Sequence, residues 1–121
     1  MPDENGLAAA DALRIAVRVD EAIAAYEGYL VGHPDSPEAH HGLGLCYGFK
    51  GLLDPSIREL ELAAQLAPLS TMILLDLAKT YLMNEMYVEG ETTFTRILKI
   101  EPDHIEAKKQ LAYCREWSLK L

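Results

Sequence analysis

The residues best suited to chemistry are four histidines and two cysteines. His40 and His41 are adjacent and His33 is nearby, a grouping that raises the question of a metal site. Adjacent residues on a helix point about 100° apart, however, and no nearby cysteine completes a ligand set with these histidines. Cys46 and Cys114 have neither a CxxC nor another ligand spacing. We therefore expect no metal and no cofactor, and interpret both cysteines as small buried apolar residues.

The other polar residues do not suggest catalysis. Aspartates and glutamates are spread along the chain, with no acid–base pair in one predicted pocket. A glycine-rich phosphate loop is absent from the sequence. Ser36, the serine near the histidines, is explained below as a helix cap. The sequence therefore predicts a protein that is not an enzyme.

Charge and hydropathy exclude other classes of function. The formal net charge is −8, which argues against nucleic acid and against an anionic membrane surface as partners. No apolar run reaches 18 residues, so membrane insertion is not expected. The polar, acidic start at residues 1–6 does not resemble a signal peptide. The expected location is cytoplasmic.

A 34-residue period indicates the elements that position these residues. Pro34, Pro68 and Pro102 are spaced 34 apart. Columns of leucine, small and bulky residues keep that period: Leu43/Leu77/Leu111, Ala10/Gly44/Ala78/Ala112, Tyr47/Tyr81, Ala22/Ser56/Gly90 and Tyr26/Leu60/Phe94. Their spacing within a unit predicts two amphipathic helices of roughly twelve to fourteen residues. The small columns allow the two helix axes to approach closely, and each proline ends a second helix.

Helix-start signals agree with this division. Ser36 before Pro37 predicts an N-cap followed by proline in the first turn. Asp54 before Pro55 repeats the pattern, and Asp103 with Glu106 fits a variant of the capping box. Gly51 fits a tight turn between two helices.

A 34-residue helix-turn-helix unit with these columns resembles the tetratricopeptide repeat. The resemblance implies an all-α fold, a right-handed superhelix of antiparallel helix pairs. We predict one domain over residues 1–121, with a degenerate unit at 3–36, units at 37–70 and 71–104, and a capping helix at 105–121. His33-Pro34-Asp35 also matches the signature of J-domain co-chaperones. The motif falls on the proline between repeats, so the repeat accounts for it.

The resemblance also implies a site. Members of the family bind peptides on the concave face, which the first helix of each pair lines. Projected onto this chain, that groove contains His41, Leu45, Phe49, Met72, Leu75, Lys79, Leu82, Met83, Lys109 and Tyr113. Its apolar character predicts a protein or peptide partner that presents apolar side chains, in extended or helical form. The open alternative is that some of these residues are buried between helices or covered by the N-terminal segment.

The resemblance allows one ligand class to be examined. Family members that hold the acidic tails of Hsp70 and Hsp90 use groove lysine, asparagine and arginine side chains. The matching positions here are Leu7, Asp11, Gly42, Met72 and Asp76. Since none is a cation or an amide, the sequence argues against such tails as ligands.

Charge also varies along the chain. Residues 1–40 have eight acidic and two basic residues, whereas residues 105–121 have four basic and two acidic ones. Tyr113, Trp117 and Leu121 form a stripe on the capping helix, which suggests self-association into a homo-oligomer. Alternatively, Trp117 folds over the groove edge, or the chain was cut from a longer array. The leading function is an interaction adaptor. The alternatives are a small chaperone similar to those of type III secretion translocators, and a self-assembling scaffold.

Overall fold

The computed structural model describes the backbone of residues 2–120 and the side chains of residues 6–119. These residues form seven α-helices: α1 (Pro2–Ile15), α2 (Val19–Gly32), α3 (Pro37–Phe49), α4 (Leu53–Leu66), α5 (Thr71–Met83), α6 (Tyr87–Ile100) and α7 (Ile105–Lys120). The starts of α2, α4 and α6 are 34 residues apart, and so are those of α3, α5 and α7. The predicted all-α fold of helix pairs is confirmed. Within the described residues, no helix is long and apolar enough to cross a membrane.

The helices form two compact units, one that ends at Leu66 and one that begins at Ala67. In the first unit, α1 packs on α2, α2 on α3 and α3 on α4; in the second, α6 packs on both α5 and α7. Each unit has a core of large apolar side chains, which includes Tyr26, Leu43 and Leu60 in the first and Leu74, Phe94, Ile97 and Leu111 in the second. The prediction of a single domain with the stated repeat boundaries stays a prediction.

The small column lies where paired helices are in closest contact. A Cβ at residue 44 would be 2.8 Å from Cγ of Leu60. The Ser56 hydroxyl donates a hydrogen bond of 2.7 Å to the carbonyl of Gly44 and so ties α4 to α3. A larger side chain at position 44 would force the two helices apart, as the sequence predicts.

The turns inside the three pairs have one geometry. Val17, Gly51 and Glu85, again 34 residues apart, have positive φ values of 61°, 77° and 58°. The next N–H in each turn donates to the carbonyl five residues earlier: Arg18 to Leu13, Leu52 to Tyr47 and Met86 to Tyr81. This bond satisfies a carbonyl at the helix end. Gly51 adopts the left-handed conformation freely, whereas the same conformation strains the β-branched Val17 by about 1–2 kcal/mol.

The turns that precede α3, α5 and α7 also share a cap. The hydroxyls of Ser36 and Ser70 accept hydrogen bonds from Ala39 N–H (3.2 Å) and Ile73 N–H (3.3 Å). At the third position, Nδ1 of His104 accepts from Ala107 N–H at 3.1 Å. The predicted Ser36 cap is confirmed.

Two other cap predictions are wrong because the helices begin elsewhere. His104, and not Asp103, immediately precedes α7 and caps it. Helix α4 begins at Leu53, so Asp54 already lies inside its first turn.

Candidate peptide-binding faces

The predicted groove residues recur at equivalent positions of the first helices. Three columns, each with a 34-residue period, contain all of them except Leu82 and Met72, the latter one turn before Leu75: Leu7/His41/Leu75/Lys109, Asp11/Leu45/Lys79/Tyr113 and Ile15/Phe49/Met83/Trp117. Within one helix the three positions are i, i+4 and i+8, so they share a side. We call this side of α1 and α3 the first face, and this side of α5 and α7 the second face.

The first face is most exposed at the helix ends. His41 and Leu45 are half-buried, whereas Phe49, the last residue of α3, is 67% exposed. Ile15, the last residue of α1, is 73% exposed. Helices α1 and α3 are in contact within the first unit. This unit therefore presents two large apolar side chains at matching positions.

A polar cluster ties the first face to the core. Tyr26 of α2 is fully buried, and its hydroxyl donates to the carboxylate of Asp11 and accepts from Nε of Arg14 at 2.9 Å. Burial and the hydrogen bond to Asp11 raise the pKa of Tyr26 to about 12. A Cβ at Gly42 would lie 2.3 Å from Cζ of Tyr26. Gly42 thus leaves space for the tyrosine ring to reach α1.

Methionines dominate the exposed part of α5 on the second face. Met72 is 64% exposed and Met83 is 61% exposed. Nζ of Lys79 is 3.0 Å from Oε1 of Glu106 and so links α5 to α7. Leu75 beside them is half-buried. The methionine side chain is flexible and polarizable, which suits contact with varied apolar groups.

Leu82 requires a correction. A Cβ at Gly90 of α6 would lie 3.0 Å from Cδ2 of Leu82, which shows that the half-buried leucine packs between α5 and α6. The sequence analysis assigned Leu82 to the groove and left open that some groove residues are buried between helices. For Leu82 the structure favours that alternative, because the small residue at position 90 makes the pocket that the leucine fills.

Aromatic residues occupy the second face on α7. Tyr113 and Trp117 are 43% and 38% exposed, and the ring centroids are 6.0 Å apart. Tyr87, the first residue of α6, adds a third ring, with its centroid 6.3 Å from that of Tyr113 and 6.1 Å from that of Trp117. Lys109, one turn before Tyr113, is exposed. Leu121, the last member of the predicted self-association stripe, lies outside the described residues.

Two residues on or beside these faces were absent from the sequence prediction. Ile15 belongs to the column of Phe49, Met83 and Trp117, so the same period could have found it. Tyr87 continues an apolar column with Val19 and Leu53 at the start of the second helices. Its contact with α7 depends on how α6 and α7 pack, which periodicity alone does not give.

The residues that suggested other chemistry have structural roles. The ring of His33 stacks on Tyr29 at 4.1 Å in the turn before α3. His40 joins that turn to α4, with Nε2 2.7 Å from the carbonyl of Pro34 and Nδ1 2.8 Å from Oε1 of Glu59. Within the described residues, no three His, Cys, Asp or Glu side chains group as a metal site.

The cysteines are buried as expected. Cys46 is 1% exposed, Cys114 is 0% exposed, and both are free thiols. Burial raises the pKa of each thiol. Since the thiolate is the reactive form, neither side chain is prepared to act as a nucleophile.

Solved structures with this arrangement are tetratricopeptide-repeat domains and related helical-repeat proteins. The first such domain of Spaghetti (RPAP3), bound to the HSP90 peptide SRMEEVD, has a TM-score of 0.86 and 18% identity over 98% of this chain and 96% of its own. The Yersinia enterocolitica type III secretion chaperone SycD, in complex with a peptide of the translocator YopD, has a TM-score of 0.85 and 14% identity. The alignment covers 93% of this chain and 91% of the SycD chain. MamA has a TM-score of 0.89 and 18% identity over 94% of this chain and 67% of its own. No protein-family model and no curated protein matches the sequence.

These comparisons confirm the tetratricopeptide-type fold, which two of the three similar proteins use to hold a peptide. They also correct one expectation. The sequence argued against an acidic chaperone tail as ligand, yet one similar structure contains an HSP90 peptide. The fold itself therefore does not exclude that ligand class.

Proposed function

We propose that this protein is an interaction module in which the first face and the second face each bind apolar side chains of a partner polypeptide. The observation that supports this most strongly is one column of the repeat: Ile15, Phe49, Met83 and Trp117. All four are large apolar residues, and they are 73%, 67%, 61% and 38% exposed. The first three end α1, α3 and α5.

Packing inside the units leaves Ile15, Phe49 and Met83 largely exposed, whereas Trp117 is partly covered by Tyr87 and Tyr113. The core positions in the same helices, such as Leu43, Leu77 and Leu111, are at most 8% exposed. Burial of a large apolar side chain is worth about 1.5–3 kcal/mol, so a partner that covers even one of these side chains gains appreciable free energy.

Exposed apolar residues on the second helices provide controls. Val31 of α2 is 86% exposed and Val88 of α6 is 66% exposed. Neither belongs to the three columns that define the faces. A charge at either position should therefore change surface chemistry to the same degree without touching the proposed site.

The experiment begins with a ligand selected from a random peptide library displayed on phage against the whole chain. Phe49→Glu and Met83→Glu are then compared with Val31→Glu and Val88→Glu by titration calorimetry. We expect at least a tenfold loss of affinity for one or both face variants, because a carboxylate would be desolvated against apolar groups. The controls should bind as the parent does.

Circular dichroism must first show that all four variants are folded. Equal binding by the face variants and their controls would refute the proposal, and so would a selection that yields no peptide at all.

Two alternative functions remain. One is a secretion-type chaperone, which the similarity of this fold to that of SycD supports. Such a chaperone should bind translocator segments and keep them from aggregating. A self-assembling scaffold through α7 is the other. Light scattering over a wide concentration range separates it from a monomeric adaptor, since a scaffold grows in mass as concentration rises.

A further inference from the structure

We propose that copies of this chain associate with one another, with α7 of one copy lying parallel to α2 of the next. The contact is made by one side of each helix. The basic side of α7 consists of Lys108, Ala112, Arg115 and Leu119. The acidic side of α2 consists of Asp20, Ala24, Glu27 and Val31. Neither side includes a residue of the first or second face, so this inference goes beyond the proposed function and does not depend on it.

The charges of the two sides match position for position. Each side has its four residues at i, i+4, i+7 and i+11, a spacing that keeps them in one row along a helix. When the helices lie parallel, Asp20 meets Lys108 at the first position and Glu27 meets Arg115 at the third. Opposite charges at matching positions fix the register of a contact and steer the two copies together.

The remaining positions match in size and hydropathy. The second position is alanine on both helices, Ala24 and Ala112, which allows the two axes to approach closely. The fourth position pairs Val31 with Leu119, which are 86% and 89% exposed in the single chain. An antiparallel arrangement would instead set each of these apolar residues against a charged one. Parallel packing is therefore the arrangement that the residues favour.

Both sides are open to solvent. The side chains of Asp20 and Arg115 are 82% and 60% exposed, and every other residue of the two sides is exposed as well. A Cβ at Gly28, beside the acidic side of α2, would have no atom within 4 Å. A helix of a second copy therefore meets no obstacle on the surface of α2 at this point.

The basic side of α7 corresponds to a surface that carries a helix earlier in the chain. Ala112 is the repeat equivalent of Gly44, which lies directly against Leu60 of α4. The repeat equivalents of Lys108 and Arg115 on α5 are large buried residues, Leu74 and Tyr81. On α7 the small residue is thus retained for close helix packing, while the residues around it have become charged and exposed.

Charge distinguishes α2 from the other second helices. The repeat equivalents of its acidic side are Asp54, Arg58, Glu61 and Gln65 on α4, and Val88, Thr92, Thr95 and Lys99 on α6. Each of these sets includes a basic residue, whereas the acidic side of α2 has two carboxylates and none. The surroundings have the same signs, since residues 1–40 have eight acidic and two basic residues and α7 has four basic and two acidic ones. Helix α2 is therefore the complementary partner for α7.

Two of the charged residues already have partners within the chain. Asp20 contacts Nζ of Lys50 through one oxygen of its carboxylate. Nε of Arg115 is 3.3 Å from Oε1 of Glu91, and the terminal nitrogens of the guanidinium supply further donors. Exposed pairs of this kind are individually weak, so their rearrangement opposes the contact only slightly.

The contact involves one side of each of two helices, so the association should be weak. Interfaces below about 1,200 Å² are typical of transient complexes. We expect monomers at about 10 μM and larger species at about 500 μM, within the micromolar-to-millimolar range of weak binding. High salt should abolish the association because it screens the charge pairs. Since the two sides are on different helices, the contact is heterologous and can add further copies.

Reversal of charge tests the contact by sedimentation equilibrium in low salt. Asp20→Lys/Glu27→Lys makes both sides basic, and Lys108→Glu/Arg115→Glu makes both sides acidic. We expect each variant alone to associate at least tenfold more weakly than the parent, and an equimolar mixture of the two to recover association because the charges are complementary again. Lys109→Glu is the matched control for Lys108→Glu, since it makes the same change of charge one residue further along α7 and should associate as the parent does.

A cross-linking experiment tests the register. A chain with Ala24→Cys is mixed with a chain with Ala112→Cys and oxidised by air with a copper catalyst. The native thiols of Cys46 and Cys114 are 1% and 0% exposed, so they do not compete. We expect a disulfide-linked dimer to form faster than with Leu119→Cys as the second chain, because residue 119 lies about 10 Å further along the helix, beyond the reach of a disulfide.

The outcomes separate this inference from the proposed function. A parent chain that stays monomeric at about 500 μM in low salt overturns it, and so does a mixture of the two charge variants that fails to associate. Faster cross-linking to Leu119→Cys than to Ala112→Cys overturns the parallel register. None of these results affects peptide binding by the faces, and a library selection that yields no peptide leaves the self-association standing.

Discussion

The two units have different residues at one pair of equivalent repeat positions. In the first unit, buried Tyr26 of α2 reaches past Gly42 to hydrogen-bond with Asp11 and Arg14 of α1. In the second unit the equivalent positions, 68 residues later, are Phe94 and Gln110. Phe94 is fully buried but has no hydroxyl, and position 110 has a full side chain. The hydroxyl and the glycine therefore occur together in one unit and are both missing from the other.

The difference extends to the faces. The first unit, up to Leu66, has eleven acidic and four basic residues, whereas the second has eight and seven. The first face includes the carboxylate of Asp11 beside the guanidinium of Arg14, while the second face presents methionines and the rings of Tyr113 and Trp117. One repeat scaffold thus supports two chemically distinct surfaces, because residues on the faces are not constrained by core packing.

The largest expected effect comes from filling the space beside Tyr26. Gly42→Ala should destabilise the protein by about 2–3 kcal/mol, because the new Cβ overlaps a buried ring that hydrogen bonds hold in place. Gly28→Ala, in the open interior of α2 with no atom within 4 Å, should instead stabilise by about 0.5–1 kcal/mol. Urea unfolding measures both. Equal effects would mean that Tyr26 does not lie against Gly42.

Tyr26→Phe makes the first unit resemble the second. Loss of the buried hydroxyl should cost about 1–2 kcal/mol, since its partners Asp11 and Arg14 are partly exposed and can turn to water.

The same variant has a pH signature. The pKa of Tyr26 is about 12 in the folded protein against an ordinary value of 10.0. The folded state therefore retains a proton that the unfolded state loses, and this contribution to stability is complete below pH 10 and falls as the pH rises towards 12. The difference in unfolding free energy between parent and Tyr26→Phe should shrink over that window. A difference that stays constant with pH would contradict the buried hydroxyl.

The left-handed turn position offers a third comparison. Val17→Gly should stabilise the first turn by about 1 kcal/mol, because it removes a strained β-branched residue at φ 61°. Gly51→Ala, at φ 77°, should destabilise by a similar amount. Thermal unfolding of both variants checks the signs. Shifts in the same direction would show that the turns do not share one backbone conformation.

The smallest effect is expected for an exposed ion pair on the second face. Lys79→Met removes the contact with Glu106, whose side chain, like that of Lys79, is more than two-fifths exposed. Such pairs contribute about 0.2–1 kcal/mol, and salt should reduce the difference further. A loss beyond about 2 kcal/mol in chemical denaturation would indicate that Lys79 is part of the fold and not of an open face.

Much of the fold could be predicted from the sequence, because a repeated core position restricts residue type at every copy. The proline and small-residue columns predicted the helix pairs, and Ser36 predicted the N-cap of α3. His104 was missed as a cap, since histidine is not a usual N-cap residue. Val17 and Glu85 were missed as left-handed positions because only Gly51 has the residue type that such a turn favours.

The candidate faces were less predictable. The family resemblance assigned Phe49, Met72 and Met83 to the groove side of a helix, and they are exposed there. It could not show that Leu82 fills the space beside Gly90, because that depends on the distance between α5 and α6. Nor could it place Tyr87 against Trp117, a contact between side chains from two helices.

The central claim is that a partner covers exposed apolar side chains of the faces, and methionine methyl NMR tests it most directly on the second face. The chain contains Met72 and Met83 on the second face and half-buried Met86, outside the three columns, as an internal control. With ¹³C-methyl methionine and the selected peptide, the signals of Met72 and Met83 should shift and saturate together while that of Met86 stays nearly fixed. Saturable binding that moves Met86 and leaves both face methionines unchanged would contradict the account.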